Sequence, residues 1–279
     1  MTGKKRLRPI VLLLGALVSS GLALDAFWVE PSRLIVVREE LDIPGWPAAL
    51  SGLRVALLSD LHVGSPHWGL ARLPEVVTRV EREQPDLIVL AGDYLNDLEP
   101  GAVVPPGPIA HELGALHAPF GVVAVLGNHD GWHDGMGVIT ALSAQGIHVL
   151  DDQSLRIDAR GASFCVLGLT DAETRTRSPQ EELALASPGL PLLVVVHEPD
   201  IFHQLDARVS LTLAGHTHGG QVSLPFFGPP IVPSMFGRRY ARGHIVEDGR
   251  HLFVTSGIGT SKLPVRFGVP PEIAILTLR

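Results

Sequence analysis

Two closely spaced histidines, His216 and His218, have the residue type and spacing of a metal site. They lie in the stretch GHTHGG, which ends the apolar run Leu211–Ala214. Imidazole nitrogen binds divalent transition metals well, and the flanking glycines let the backbone turn sharply enough to aim both rings. One His-x-His pair is a modest indication, so the other ligands of such a site must come from elsewhere in the chain.

Four other apolar runs, at residues 53–59, 86–91, 121–126 and 192–196, also end in residues that bind metals. Near-continuous apolar runs are typical of parallel strands that are buried on both faces. Functional groups in such sheets collect beyond the carboxyl ends of the strands, so these side chains are expected at one edge of the sheet. They are Asp60 and His62, Asp93, Asn128 and His129, and His197.

The combined ligand set contains two carboxylates, one carboxamide and several imidazoles. That is too many ligands for one ion of four- to six-coordinate geometry, and it suits two divalent ions that share a bridging carboxylate. Oxygen and nitrogen ligands without thiolates indicate Mn, Fe, Zn or Co, among which Mn is favoured, rather than copper or an iron–sulfur cluster. The sequence therefore predicts a dinuclear metal site.

Alternating strand and helix patterns place this site in an α/β domain. Helical spacing of apolar residues occurs at 69–84, and helices are also predicted near 109–117, 134–145 and 178–186. Further strands are predicted at 34–37, 147–150, 155–157, 163–169, 221–224, 251–255 and 272–278.

Composition limits the class of protein. The 279 residues are 46% hydrophobic, which suits one large domain, predicted at residues 31–279. The net charge of −7 argues against a nucleic-acid partner, because nucleic-acid binders present a basic face. The single cysteine, Cys165, lies in an apolar run and is expected to be a buried hydrophobic residue, so no intrachain disulfide is possible.

Residues 1–30 have the layout of a signal peptide or an N-terminal membrane anchor. A basic cluster at residues 4–8 precedes the uncharged run Ile10–Leu24. We expect an uncleaved membrane anchor, with the rest of the chain on the outer face, because basic flanks stay cytoplasmic. The alternatives are a cleaved signal that leaves a secreted or periplasmic protein, and a buried N-terminal helix.

Five motifs together resemble the calcineurin-like metallophosphoesterases, and they occur in order over residues 53–220. They are Asp60-x-His62, Gly92-Asp93-x-x-Asn96, Gly127-Asn128-His129-Asp130, His197 and Gly215-His216-x-His218. The segments GGQV at 219–222, PFFG at 225–228 and PVRF at 264–267 resemble a membrane-associated bacterial phosphodiesterase branch. The resemblance implies a four-layer α-β-β-α sandwich, in which helices flank two central mixed sheets.

The resemblance also implies a role for each ligand. Asp60, His62 and His218 would hold one metal, and Asn128, His197 and His216 would hold the other. Asp93 would bridge both metals, and His129 would protonate the leaving group. The implied reaction is attack on phosphorus by a hydroxide held between the metals.

The implied substrate is a phosphodiester or pyrophosphate, most plausibly a lipid-linked or envelope small molecule. The alternatives are a phosphomonoesterase and a non-catalytic docking protein that uses the same metal-binding fold. A phosphoprotein substrate is not expected, because no arginine follows Asp93. A zinc peptidase is excluded by the lack of His-Glu-x-x-His.

Three further residues are candidates for substrate binding: Asn96, Arg238 and Arg239. The arginines lie in the apolar loop 225–242. This loop has two interpretations, a flap that completes the core or an exposed surface that touches lipid while the arginines meet phosphate groups.

Overall fold

The computed structural model describes residues 3–96, 101–172 and 174–279, with side chains from residue 10 onward. In this part of the chain two six-stranded sheets pack face to face, and helices lie outside them. The predicted sandwich is confirmed. The strands are β1 (Ile35–Leu41), β2 (Leu53–Leu58), β3 (Leu87–Ala91), β4 (Val122–Val125), β5 (His148–Val149), β6 (Gln153–Ala159), β7 (Ala162–Gly168), β8 (Leu192–Val195), β9 (Val209–Ala214), β10 (Gly243–Glu247), β11 (Arg250–Val254) and β12 (Glu272–Leu278).

Both sheets are mixed. The first has the order β1-β12-β2-β3-β4-β5, and β2 to β5 run parallel to one another. Strand β12 is antiparallel to β2, and β1 is parallel to β12. The second sheet has the order β10-β11-β9-β8-β7-β6, in which β7, β8, β9 and β11 are parallel and the two edge strands are antiparallel.

The apolar runs of the sequence are explained by burial on both faces of the sheets. In β2, Val55 and Leu57 point into the core between the sheets, whereas Ala56 and Leu58 point into the core under the outer helices. A third core covers the outer face of the second sheet and includes Phe202. Because every position of such a strand faces a core, these strands lack the alternation of polar and apolar residues that a strand with one solvent-exposed face shows.

Helices cover the outer faces unequally. The first sheet is covered by α3 (Leu73–Arg82), α4 (Pro106–Leu113) and α6 (Gly135–Ala144). The second is covered by the shorter α7 (Pro179–Leu183) and a 3₁₀ segment, Pro199–Gln204. A six-residue helix, α5 (Asn128–His133), begins directly after β4 and is one that the sequence did not predict.

One prediction near the carboxyl terminus is wrong, and one strand there was not predicted. Residues 221–224 form no strand, because Val222 makes only an isolated bridge to Phe267 and the chain turns between Leu224 and Gly228. The sequence also missed edge strand β10. Its signal was the Asp248-Gly249 pair, whose positive φ angles of 51° and 74° make the tight turn between β10 and β11.

The chain begins with one long helix, formed by α1 (Gly3–Leu24), a π-helical turn (Asp25–Val29) and α2 (Glu30–Ser32). Residues Ile10–Ser32 have a mean hydropathy of 2.1, and their most apolar window is not buried against the rest of the chain. By length and composition this segment is able to cross a membrane, a test that a signal sequence also passes. The alternative of a buried N-terminal helix is wrong.

Candidate metal centre

The structure brings the eight side chains of the five motifs together at one edge of the two sheets. Each set follows the carboxyl end of a parallel strand, as the sequence predicted. Asp60 and His62 follow β2, Asp93 follows β3, Asn128 and His129 begin α5 after β4, His197 follows β8, and His216 and His218 follow β9.

One group of possible ligand atoms comes from Asp60, His62 and His218, and these atoms lie within 4.8 Å of one another. The Nε2 atoms of His62 and His218 are 3.3 Å apart, and the two rings stack with centroids 5.1 Å apart. His218 Nε2 is also 3.3 Å from Asp60 Oδ1. Three donor atoms therefore face one small volume.

A second group comes from Asp93, His197 and His216, whose ligand atoms also lie within 4.8 Å of one another. Asn128 belongs beside this group, since its Oδ1 is 3.1 Å from His216 Nδ1. Asp93 lies between the two groups, because its Oδ2 is 3.1 Å from His197 Nε2 and 3.5 Å from His62 Nε2. This is the position that a carboxylate shared by two ions requires.

The buried polar atoms of the site fit a cation. Asp60 Oδ1 and His197 Nε2 are fully buried and meet no hydrogen-bond criterion among the described residues, although His218 Nε2 lies 3.3 Å from the first and Asp93 Oδ2 lies 3.1 Å from the second. Leaving such atoms unsatisfied costs about 1 to 3 kcal/mol each. A divalent metal would satisfy both atoms, so the donor set present here fits the predicted metals.

The histidine tautomers also fit metal binding. His197 Nδ1 lies 2.7 Å from the carbonyl of Ala91, and His62 Nδ1 lies 3.2 Å from the carbonyl of Leu95. A carbonyl only accepts, so each Nδ1 carries the proton and donates it. Each Nε2 then faces the site, where a metal would bind it, which is how protein carbonyls orient metal-binding imidazoles.

The backbone at the site is strained in a way that aims these side chains. Five of the candidate ligands adopt positive φ, which non-glycine residues rarely do and which costs about 1 to 3 kcal/mol each. They are Asp60, His62, Asp93, His216 and His218, with φ between 41° and 69°.

Two glycines let these turns approach one another. A Cβ on Gly215 would lie 1.9 Å from Ser59 Oγ, and a Cβ on Gly127 would lie 2.1 Å from Asp93 Oδ1. Any side chain at either position would displace a strand-end residue, so these glycines are required by close packing.

Asp130 holds the turn that carries Asp93. Its Oδ2 accepts from the backbone N–H groups of Asp93 (2.8 Å) and Gly127 (3.0 Å), and its Oδ1 accepts from Tyr94 and Leu95 (2.9 and 3.1 Å). One fully buried carboxylate thus joins two of the motifs. Because it acts on Asp93 through hydrogen bonds to the backbone, Asp130 is a positioning residue.

Burial and neighbouring charges give the residues of the site different pKa values. Burial raises the pKa of Asp60 to about 6. Burial also lowers the pKa values of His62 and His216 to about 4, so both imidazoles are neutral near pH 7 and ready to bind metal. Burial alone would lower the pKa of His197, but the carboxylates of Asp93 and Asp60 raise it well above its ordinary value.

His129 and Trp132 form the outer side of the site. The His129 ring lies 4.9 Å from the His62 ring and 4.8 Å from the Trp132 ring, measured between centroids. His129 is 6% exposed, whereas Trp132 is 53% exposed. Possible ligand atoms of His129, His62 and Asp93 also lie within 4.8 Å of one another. His129 therefore lies between the ligand cluster and the exposed Trp132, and we call this side the mouth of the site.

The three predicted substrate-binding residues lie in different places. Asn96 is buried shortly after Asp93 on the same strand-end segment. Arg238 Nε donates to the carbonyl of Pro229, and Arg239 pairs with Glu247. The arginines therefore lie in the loop rather than among the ligands, and their role in binding stays a prediction.

The sequence missed Arg266 as a residue of the site. It is fully buried, its Nη2 lies 3.4 Å from His218 Nδ1, and burial lowers its pKa to about 10. It also donates to the carbonyls of Ser256, Gly259 and Val269. The only signal was an arginine in the PVRF segment, far from the ligand motifs in the chain.

A sandwich whose strand ends gather Asp, Asn and His around one shared carboxylate defines a class of metal-dependent hydrolases. Sequence comparison agrees, since the profile of the calcineurin-like phosphoesterase family matches residues 53–220. The chain belongs to this family.

Three relatives match nearly the whole chain. The metallophosphoesterase YkuE of Bacillus subtilis is 32% identical, covering 95% of this chain and 92% of that protein. UDP-2,3-diacylglucosamine pyrophosphatase LpxG of Chlamydia trachomatis is 29% identical, covering 89% and 90%. Phosphodiesterase YaeI of Escherichia coli is 30% identical, covering 90% of each chain. Family membership makes this chain a metal-dependent phosphoester hydrolase by class.

Proposed function

We propose that the chain is a dinuclear metal-dependent phosphodiesterase or pyrophosphatase. The observation that carries the proposal is the position of Asp93 between two groups of ligands. In this proposal Asp60, His62 and His218 hold one metal, Asn128, His197 and His216 hold the other, and Asp93 bridges them. Mn²⁺ is the favoured metal, with Fe, Zn and Co as alternatives of the same ligand chemistry.

When bound, two divalent cations would lower the pKa of a water molecule and neutralise the charge that grows on the phosphoryl oxygens. The chain's own residues position and protonate. Asp60 and Asp93 keep the site anionic so that it retains cations, and the carbonyls of Ala91 and Leu95 hold His197 and His62 in the binding tautomer. His129, at the mouth, holds the proton that the leaving oxygen needs.

A diester or pyrophosphate substrate is favoured over a monoester by two relatives, one named as a pyrophosphatase and the other as a phosphodiesterase. The lipid-linked substrate in the name of LpxG also supports a lipid-linked or envelope substrate here. The apolar segment Ile10–Ser32 supports the same view, since a membrane-anchored enzyme meets its substrate at a membrane surface. We propose that residues 1–30 anchor the domain, formed by residues 31–279, to the outer face of a bacterial membrane.

The experiment compares hydrolysis of bis-p-nitrophenyl phosphate and p-nitrophenyl phosphate by the full chain in detergent with Mn²⁺. Faster cleavage of the diester, lost on removal of metal and strongly reduced in His129→Ala, is the expected result. Faster cleavage of the monoester would replace the proposal with a phosphomonoesterase. Bound metal without turnover of either compound would favour a docking protein.

A further inference from the structure

The N-terminal helix enters the domain at the same sheet edge that carries the metal ligands. Strand β1 is parallel to β12, which is antiparallel to β2, so β1 runs opposite to β2. The start of β1 therefore lies at the same sheet edge as the end of β2, with β12 between them, and Asp60 and His62 follow that end of β2. The helix ends at Ser32, three residues before β1, so the chain leaves the proposed membrane anchor directly at the site.

Direct contacts join the helix to the ligands. The backbone N–H of Arg266 donates to the carbonyl of Ala26 at 2.9 Å, and the guanidinium of the same residue lies 3.4 Å from His218. Trp68 Nε1 donates to the carbonyl of Pro31 at 2.9 Å, which fixes the helix end from the other side. One residue therefore separates the helix from a candidate metal ligand.

An apolar surface lies on the same edge. We call it the apolar rim, and it consists of Leu224, Phe226, Phe227, Ile231, Met235 and Leu263. Phe226 is fully exposed, and Phe227, Ile231 and Met235 are 72%, 77% and 85% exposed. Five of the six lie within residues 224–235, and large apolar side chains so exposed indicate a surface that contacts a membrane or a partner.

Hydrogen bonds and close packing fix the apolar rim against neighbouring segments. Asp200 accepts from Ser234 Oγ and from the N–H of Met235, and Ser223 N–H donates to the carbonyl of Phe267, next to Arg266. Gly220 lies two residues after His218, and a Cβ on Gly220 would lie 2.6 Å from the carbonyl oxygen of Ile231. The rim is thus packed against the segments that carry the ligands and the helix contact.

The charge of this segment is opposite to that of the protein. Residues 221–242 contain Arg238, Arg239 and Arg242 but no Asp or Glu, although the whole chain has a net charge of −7. Lys262 is exposed beside Leu263. Basic side chains around exposed aromatic residues complement the anionic headgroups of a lipid bilayer.

We propose that the apolar rim is a second bilayer contact, which together with the N-terminal helix holds the mouth of the metal centre against the membrane. This rests on the proposed function and specifies its substrate class: phosphodiesters or pyrophosphates of lipid headgroups, taken from the membrane in which the enzyme is anchored. The rim enters the headgroup and upper acyl region of the bilayer while the arginines meet lipid phosphates.

The test places an environment-sensitive fluorophore on the rim of the full chain in vesicles of phosphatidylethanolamine and phosphatidylglycerol. Phe227→Cys is labelled, and Ile231→Cys repeats the measurement in case the first variant folds poorly. Cys165 is fully buried and does not compete for the label. The matched control is Ala144→Cys, which is exposed at the end of α6, at the opposite edge of the sheet.

The expected result is blue-shifted emission at residue 227 that loses most of its intensity to brominated acyl chains and resists aqueous iodide, with the reverse pattern at residue 144. Equal iodide quenching at both positions would overturn the proposal. Blue-shifted emission that brominated lipid does not quench, and whose shift increases with protein density, would overturn the proposal in favour of contact between two copies.

The same samples separate this inference from the proposed function. Vesicle samples that hydrolyse bis-p-nitrophenyl phosphate but show residue 227 in water would overturn the rim contact alone. Quenching by lipid without any hydrolysis would overturn the phosphodiesterase and keep the contact. A chain that fails to float with the vesicles would overturn both the anchor and the rim contact.

Discussion

The metal centre and the apolar rim share one sheet edge but differ in almost every physical property. The candidate ligands are nearly all buried, joined by hydrogen bonds and fixed in strained backbone conformations. The rim presents Phe226 and Met235 to the surroundings, and the charged residues that follow Met235 in the chain, Arg238 and Arg239, are exposed. The first region is organised around a cation and the second around a surface.

This contrast assigns the rate of the reaction to the buried cluster and access to membrane substrates to the rim. Changes in the buried cluster should act on every substrate, because they alter the groups around the reacting phosphorus. Changes in the rim should act only on substrates that reside in a membrane. The predictions below test this division in order of decreasing effect.

The largest effect is expected for Asp93→Asn, which removes the negative charge shared by the two ligand groups. Loss of charge stabilisation worth several kcal/mol should lower kcat/KM by about a thousandfold or more for a soluble diester and a lipid-linked one alike. The control is Asp206→Asn, whose carboxylate pairs with Arg208 at the surface. A loss on only one of the two substrates would contradict the division.

Asp130→Asn should destabilise the fold and weaken metal binding together. An amide replaces one acceptor oxygen by an NH₂ group, which then faces two backbone N–H donors. We expect a loss of about 2 to 4 kcal/mol in the free energy of unfolding, measured with urea in the presence of chelator.

Asp134→Asn is the matched control, because its exposed side chain caps α6 through the N–H of Gly137 and asparagine caps equally well. Equal stability of the two variants would show that Asp130 does not hold the Asp93 turn.

Metal affinity should rise with pH through the neutral range. The carboxylates of Asp93 and Asp60 raise the pKa of His197, so in the metal-free protein this imidazole carries a proton that a metal must displace. Each pH unit below that pKa then weakens binding by up to about tenfold. Calorimetry in two buffers of different ionisation enthalpy should detect proton release, and its absence would contradict the assignment of His197.

His203→Gln is the control for this pH dependence, because His203 is exposed and lies outside the ligand groups. Its metal affinity should follow the same pH profile as the wild-type chain.

The smallest effect is expected for Arg238→Ala combined with Arg239→Ala. A basic residue near an anionic surface contributes about 1 kcal/mol, so KM for a lipid-linked substrate should rise about five- to tenfold. Arg239 already pairs with Glu247, which limits its share. Hydrolysis of a soluble diester should be unchanged both in this double variant and in the control Arg208→Ala. Equal losses on both substrates would remove the lipid-specific role.

The strands and ligands of the metal edge were predictable because both follow from local sequence. Burial on both faces makes β2, β3 and β9 continuous apolar runs, and the ligands come directly after them. The fold itself was predicted through the family motifs and is confirmed. The identities of the ligands to each metal stay predictions.

The supporting contacts that sequence analysis could not predict join residues far apart in the chain. Asp130 holds Asp93 across 37 positions, and Arg266 reaches His218 across 48. No periodicity records such contacts. No strand forms at 221–224 because Val222 makes only an isolated bridge and Leu224 is exposed rather than packed in a core.

The most direct test of the central claim is a titration of the metal-free full chain with Mn²⁺, in which bound metal and diester hydrolysis are measured on the same samples. The account predicts that hydrolysis reaches its maximum only when two ions are bound per chain, and that Asp93→Asn fails to reach this state. Full hydrolysis with a single bound ion, or with none, would contradict a dinuclear centre.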